Sequence, residues 1–283
     1  VLTSNGYLLS DAPDRLGELR AAPDSERGDR DALWARLRQD GYLYLTGHLD
    51  PAEVIDFRRY YFCQLADTGV LRSGSDPVDG KAAEGPVDVA RLRQILFQQI
   101  VPSDEYQRLC STPGVAGWFR WLFDDDVHLH KRKIIRHTRP GANGVGTATQ
   151  AHYDLVYLRE GTDRVLSIWI PLGDCPRTLG GLTYLEGSHH RVLAEEREGR
   201  LRRPAASITA DLPSLADEHD SRWLTADYRA GDVVVHSAYL VHAALDNVDR
   251  DQTMRLSTDI RYQRVSEPID WRWQQHWVDT DAL

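Results

Sequence analysis

The sequence predicts a mainly β barrel or sandwich with helices flanking it, on three observations. From about residue 127, short runs rich in β-branched and aromatic residues alternate with Gly/Pro/Asn clusters, the pattern of an all-β barrel or sandwich. Upstream of that point, apolar residues recur at helical spacing. The chain has 283 residues, 41% apolar and 27% charged, enough for one large domain with a sizeable core.

Residues 28–62 read as helical around Leu33, Trp34 and Leu37, with a break at Asp40-Gly41 and a strand over Tyr42-Leu43-Tyr44-Leu45. A second helix opens at Asp50-Pro51, aspartate as cap and proline in the first turn, with Val54, Ile55, Phe57 and Tyr61 as its apolar positions. Residues 69–90, rich in glycine and mixed charge, read as a flexible loop. Strands are expected over Val127–His137, Ala151–Leu158, Val165–Pro171, Leu182–Glu186, Asp232–His236 and Met254–Tyr262. The charged stretch Arg191–Arg229 is long for a connection, and such insertions tend to be functional or mobile. The aromatic end, Trp271 to Trp277, reads as core or barrel-face packing. The expected organisation is one domain over 1–283: a mostly helical part (1–126), a barrel core (127–265) with an insertion (191–229), and an aromatic tail (266–283).

The formal charge of −9, from 34 basic and 43 acidic residues, disfavours a nucleic-acid binder. Cys63, Cys110 and Cys175 are far apart and odd in number, which fits a reducing compartment. No apolar run has the length of a membrane helix, and no export signal is visible at Val1–Gly6, so a cytoplasmic protein with no membrane partner is expected.

The chemistry is concentrated in His152-Tyr153-Asp154. On a strand, positions 152 and 154 share a face, so an imidazole and a carboxylate converge. A third ligand must come from a distant stretch, and Gly231–His242 offers His236 and His242. Two histidines and one carboxylate on one face of a metal suit Fe(II) and oxygen chemistry. Alternation over Met254–Tyr262 puts Arg255 and Ser257 on one face with Asp259 and Arg261. A guanidinium fork beside a hydroxyl matches a carboxylate, which implies a chelating acid cosubstrate next to the metal. His128-x-His130 has the same strand spacing and is a rival of the cupin kind, opposed by the positive charge of Lys131-Arg132-Lys133. Arg200, Arg202 and Arg203 read more simply as a solvated face than as an anion grip. G-x-S-x-G, P-loop and H-E-x-x-H motifs are absent.

Taken in order, Asp40–Leu45, His152-x-Asp154, Trp169-Ile170-Pro171-Leu172, Gly180–His189, Gly231-Asp232, the His242 segment and Arg255-x-Ser257 resemble the phytanoyl-CoA dioxygenase-like (PhyH) branch of the Fe(II)/2-oxoglutarate-dependent oxygenases. The resemblance covers most of the chain. It implies a double-stranded β-helix, a cupin-like jelly-roll barrel with N-terminal helices and a long inserted lid region, for which 69–90 and 191–229 are the candidates. It implies that His152, Asp154 and His242 ligate Fe(II), and that Arg255 with Ser257 holds the distal carboxylate of 2-oxoglutarate. His242 is preferred to His236 because Leu240–Asn247 matches the family's ligand segment and lies nearer the family's spacing to Arg255; His236 then reads as a hydrogen-bonded core histidine. Thr183 and Trp169 match positions beside the cosubstrate, Arg93 or Gln94 falls near a further cosubstrate contact, and His189-His190 is expected to brace a loop.

The implied reaction consumes O2 and 2-oxoglutarate, releases succinate and CO2, and oxidises a polar small molecule of bacterial-type secondary metabolism. Hydroxylation is favoured because Asp154, which halogenating relatives lack, is present. The alternatives are a cupin-type metal enzyme that does not use 2-oxoglutarate, and a non-catalytic jelly-roll module that binds sugars.

Overall fold

The computed structural model describes residues 1–141, 144–200, 207–281 and 283. Strand Leu166–Pro171 is buried along its whole length and shows how the fold is built. Ile168 and Ile170 face a core shared with the helices, whereas Trp169, one residue out of phase, faces the barrel interior. The same alternation in Arg255–Arg264 sends Leu256, Ile260 and Tyr262 to the helices and leaves Arg255, Ser257, Asp259 and Arg261 to line an interior cavity. A slip of one residue would bury four polar side chains against helices, so the pattern fixes the register.

These strands belong to a six-stranded antiparallel sheet running Tyr42–Leu45, Val233–Ser237, Leu166–Pro171, Arg255–Arg264 and then Val127–Leu129, with Ile134–Thr138 also paired to Arg255–Arg264. A four-stranded sheet, His242–Ala244, Leu182–Leu185, Trp223–Thr225 and Leu16–Glu18, packs across it; Trp169 and Val234 of one sheet meet Leu182, Tyr184, Leu224 and Ala244 of the other. This is the sheet-on-sheet arrangement of a jelly roll.

Helix Arg30–Asp40 starts where the Asp29 carboxylate accepts the Asp31 and Ala32 N–H groups, and ends at Gly41 in the left-handed region (φ 80°). A side chain at Gly41 would also meet the His189 ring, whose Nε2 lies 3.1 Å from the Arg38 carbonyl, while His190 Nε2 lies 3.0 Å from that of Gln39. The His189-His190 pair thus braces this helix end. Helix Pro51–Gln64, capped by Asp50, buries Val54, Phe57, Tyr61 and Phe62. Helices Val89–Ile95, Asp104–Cys110 and Trp118–Phe123 add Ile95, Tyr106, Leu109, Phe119 and Leu122 to the same core. No described helix is long and apolar enough to cross a membrane.

Several expectations are corrected. Val127–His137 is two strands, split by a corner in which Arg132 and Lys133 are buried. Ala151–Leu158 is not a strand: Ala151 and His152 make single bridges, and a 3-10 turn, Asp154–Val156, follows. Residues 69–90 are pinned by the Leu71–Ala82 and Lys81–Thr253 bridges. Within 191–229, the described residues form most of helix Ser188–Arg197, helix Leu212–His219 and strand Trp223–Thr225; Val192, Leu212, Leu215 and Trp223 bury into the core, which the surrounding charge masks in the sequence. Neither of these two segments contributes a described residue to the cavity wall. Arg202 and Arg203 lie outside the described residues, and Arg200 pairs with Glu198. In the tail Trp273 and Trp277 are buried, whereas Trp271 is exposed.

The rival His128/His130 pair is occupied by glutamines. His130 Nε2 lies 2.8 Å from Gln263 Oε1, the Gln274 amide lies 3.1 Å from His130 Nδ1, and His128 Nε2 lies 2.8 Å from Gln274 Oε1. Burial pushes the His130 pKa down to about 4. The unfolded imidazole takes a proton below about pH 6.5. Between that pH and about 4 the unfolded chain therefore binds the extra proton, and this residue should remove up to about 3 kcal/mol of stability as pH falls. Urea unfolding of wild type and His130→Gln at about pH 7 and about pH 4.5 checks this; parallel losses in both would refute it.

Candidate metal centre

His152 and His242 are backbone partners: His152 N–H donates to the His242 carbonyl (3.0 Å) and His242 N–H to the His152 carbonyl (2.9 Å). Residues opposite each other in such a pair carry neighbouring side chains, and the two ring centroids are 4.2 Å apart. Each Nδ1 lies 2.9 Å from a carbonyl two residues back, Gln150 for His152 and Leu240 for His242. Those carbonyls accept only from a protonated Nδ1, which leaves both Nε2 lone pairs facing the cavity.

Asp154 completes the group from the 3-10 turn, with Oδ1 3.7 Å from each Nε2. One ligand atom from each of the three residues lies within 4.8 Å of the others, and no other such group occurs among the described residues. Convergence therefore comes from a bridge and a turn, not from strand alternation. The donor set, two imidazole nitrogens and one carboxylate oxygen, fits a ferrous ion with vacant positions opposite.

The surroundings favour the metal-binding forms of Asp154 and His242. Burial alone would raise the Asp154 pKa, but Arg261, His152 and His236 outweigh it and hold the carboxyl well below its ordinary range. Burial, reinforced by His152 and His236, keeps His242 well below the usual imidazole value and hence neutral. Asp154 Oδ2 accepts from the Ser167 hydroxyl and lies 3.2 Å from His236 Nε2, while Arg261 Nη2 donates to Oδ1 at 3.1 Å. The Tyr184 hydroxyl lies 3.3 Å from His236 Nδ1, which leaves Nε2–H to donate to Asp154. His236 is thus the buried, hydrogen-bonded histidine expected, orienting the carboxylate from behind. Sequence reasoning missed Ser167; its signal is one hydroxyl in an apolar strand, in phase with Trp169.

The cavity measures about 130 Å³, and its wall includes His152, His242, Trp169, Arg255 and Ser257. Arg255 donates to the Gly180 carbonyl and, at 2.9 Å, to the Thr138 hydroxyl, but its buried Nε has no partner among the described residues. That spare donor on a cavity-lining guanidinium fits a carboxylate-bearing cosubstrate. Thr183 is not part of the wall: its hydroxyl donates to the Leu224 carbonyl at 3.0 Å, because positions 182 and 184 take the inward phase of that strand. Arg93 and Gln94 are also elsewhere, Arg93 paired with Asp279 and Gln94 with Arg91 on the surface.

The family model described as phytanoyl-CoA dioxygenase (PhyH) matches residues 37–253. The chain belongs to this family. It is accordingly a non-haem Fe(II)- and 2-oxoglutarate-dependent oxygenase, and the two alternative readings are set aside. A curated relative, 1-deoxypentalenic acid 11-beta-hydroxylase of Streptomyces arenae, is 26% identical over 243 residues, which are 84% of this chain and 82% of the relative. Its counterpart from Streptomyces exfoliatus is 24% identical over 241 residues, with the same coverage. Among solved structures, the epimerase SnoN from nogalamycin biosynthesis, in complex with Fe3+, alpha ketoglutarate and nogalamycin RO, superposes with a TM-score of 0.59 at 24% identity, covering 86% of each chain. That likeness shows the jelly-roll fold of the oxygenase.

Proposed function

We propose that His152 and His242, through Nε2, and Asp154, through Oδ1, hold Fe(II), and that Arg255 with Ser257 anchors the distal carboxylate of 2-oxoglutarate beside Trp169. The observation that carries this reading is the His152–His242 backbone bridge, which presents two imidazole Nε2 atoms to one carboxylate oxygen. When bound, the iron and its cosubstrate supply the oxidising power for attack on a C–H bond, with succinate and CO2 as co-products. The chain contributes geometry. Gln150 and Leu240 fix the imidazole tautomers, Ser167, His236 and Arg261 fix the carboxylate, and buried walls limit water around a reactive centre.

The prime reaction is hydroxylation of a polar small molecule of secondary metabolism, a reading supported by the retained Asp154 and by the names of the curated relatives. The test is to add Fe(II) and 2-oxoglutarate without oxygen, look for the visible charge-transfer band, then admit oxygen and assay succinate. Absence of both would defeat the proposal. Arg255→Ala should leave the band attainable but raise the half-saturating 2-oxoglutarate by about 10- to 100-fold, the effect of losing a charge-assisted contact. An unchanged titration would remove Arg255 from that role.

A further inference from the structure

Four guanidinium groups reach the cavity, those of Arg132, Arg136, Arg255 and Arg261. Three are committed. Arg261 is shared between Asp154 and Asp259, Arg132 makes a two-pronged pair with Asp281 (2.9 Å for each bond), and Arg255 bonds Gly180 and Thr138. Arg136 differs. Its one side-chain hydrogen bond among the described residues goes to the neutral Thr149 hydroxyl at 3.1 Å, and no described acid lies within ion-pair distance of it.

Its surroundings make that cation costly. Protein atoms crowd it, and Arg132 and Arg261 repel it; these oppose its charge, while Asp259, the acid that favours it, is bonded to Arg261. Asp279, also within its field, is engaged by Arg93. A guanidinium held so, with most of its donors unused, marks a place where an anion is recognised. Part of the Arg136 side chain stays open to solvent, unlike that of Arg255, where the cavity meets an outer cleft of about 500 Å³ that is also lined by Arg139, Thr147 and Thr149, while its charged end is crowded by protein atoms. It is therefore reachable by an incoming molecule, and it lies across the strand pair from Ser257.

We propose that Arg136 is a specificity-determining residue that binds a carboxylate carried by the prime substrate. The proposal rests on the oxygenase reading above, in which Arg255 and Ser257 already serve the cosubstrate. A single planar fork suits a carboxylate, whose two oxygens match two parallel N–H donors.

The test loads the protein with Fe(II) and saturating 2-oxoglutarate without oxygen. Cyclohexanecarboxylate and larger ring carboxylates are titrated against their uncharged amides, followed by the fluorescence of Trp169 and Trp273 in the cavity wall. The acids should bind about tenfold or more tighter than the amides, a charge-assisted preference. Arg136→Gln should reduce that ratio to below about threefold, and Arg136→Lys, which keeps the charge but loses the fork, should retain part of it. The half-saturating 2-oxoglutarate should stay about constant in both. Equal binding of acids and amides to the wild type would overturn the proposal, as would an unchanged ratio in Arg136→Gln. So would a raised 2-oxoglutarate requirement with the acid preference intact, which would make Arg136 a cosubstrate anchor. Failure of the wild type to form the charge-transfer band counts against the oxygenase reading instead, and the acid–amide ratio is read independently of that band.

Discussion

Asp154→Ala is expected to abolish both the charge-transfer band and succinate formation, and to destabilise the metal-free protein as well. The carboxylate is the proposed ligand of the ion, and it is also the acceptor for Ser167, His236 and Arg261 in a fully buried setting. Removing it leaves Arg261 with Asp259 alone, and breaking a buried ion pair from one side costs about 3–5 kcal/mol. Asp154→Asn separates the two roles. The amide keeps the shape and an acceptor oxygen, so a smaller stability loss is expected, while the band is still lost because the anionic ligand is gone. Chemical unfolding of the metal-free proteins and anaerobic titration of the loaded ones measure the two effects. Full band intensity in either variant would exclude Asp154 from the metal site.

Gly180→Ala should lower stability by about 3 kcal/mol or more and weaken 2-oxoglutarate binding, although residue 180 bears no functional side chain. Gly180 lies in the left-handed region at φ 81°, and a Cβ there would stand 2.4 Å from the Leu245 carbonyl oxygen and 2.7 Å from the Asp246 carbonyl carbon. Both obstacles are backbone, just beyond strand His242–Ala244, so accommodation would move the segment that carries His242. The Gly180 carbonyl also accepts from Arg255, which links the shift to the carboxylate anchor. Gly199 is the control. Its φ is 65°, but no atom of the described residues lies within 4 Å of a Cβ there, so Gly199→Ala should show only the conformational cost of about 1–2 kcal/mol. Equal losses in the two variants would show that the close approach at Gly180 does not matter.

Fold and site were legible to different depths. Strands Tyr42–Leu45, Leu166–Pro171, Leu182–Leu185, Val233–Ser237 and Arg255–Arg264 were readable because each carries its own apolar run or alternation. The helices between residues 89 and 123 were not, since two short π-helical turns, Leu96–Ile100 and Pro113–Gly117, interrupt the helical period of about 3.6 residues. His242–Ala244 escaped notice because three residues are too few to show alternation.

By itself the sequence singled out the candidate residues: His152, Asp154 and His242 as candidate ligands, and Arg255 and Ser257 in phase on one strand. Those readings need only residue type, order and a period of two. The tertiary structure alone decided how the candidate ligands meet, through a backbone bridge between distant segments and a turn. It also decided that Ser167, His236 and Arg261 support the carboxylate, that Thr183 faces away, and that Arg136 reaches the cavity with a single hydrogen bond, to a neutral hydroxyl, among the described residues. The physical reason is that hydrogen bonds and ion pairs depend on separations of a few ångströms between groups far apart along the chain, and no local period encodes which of several arginines finds an acid.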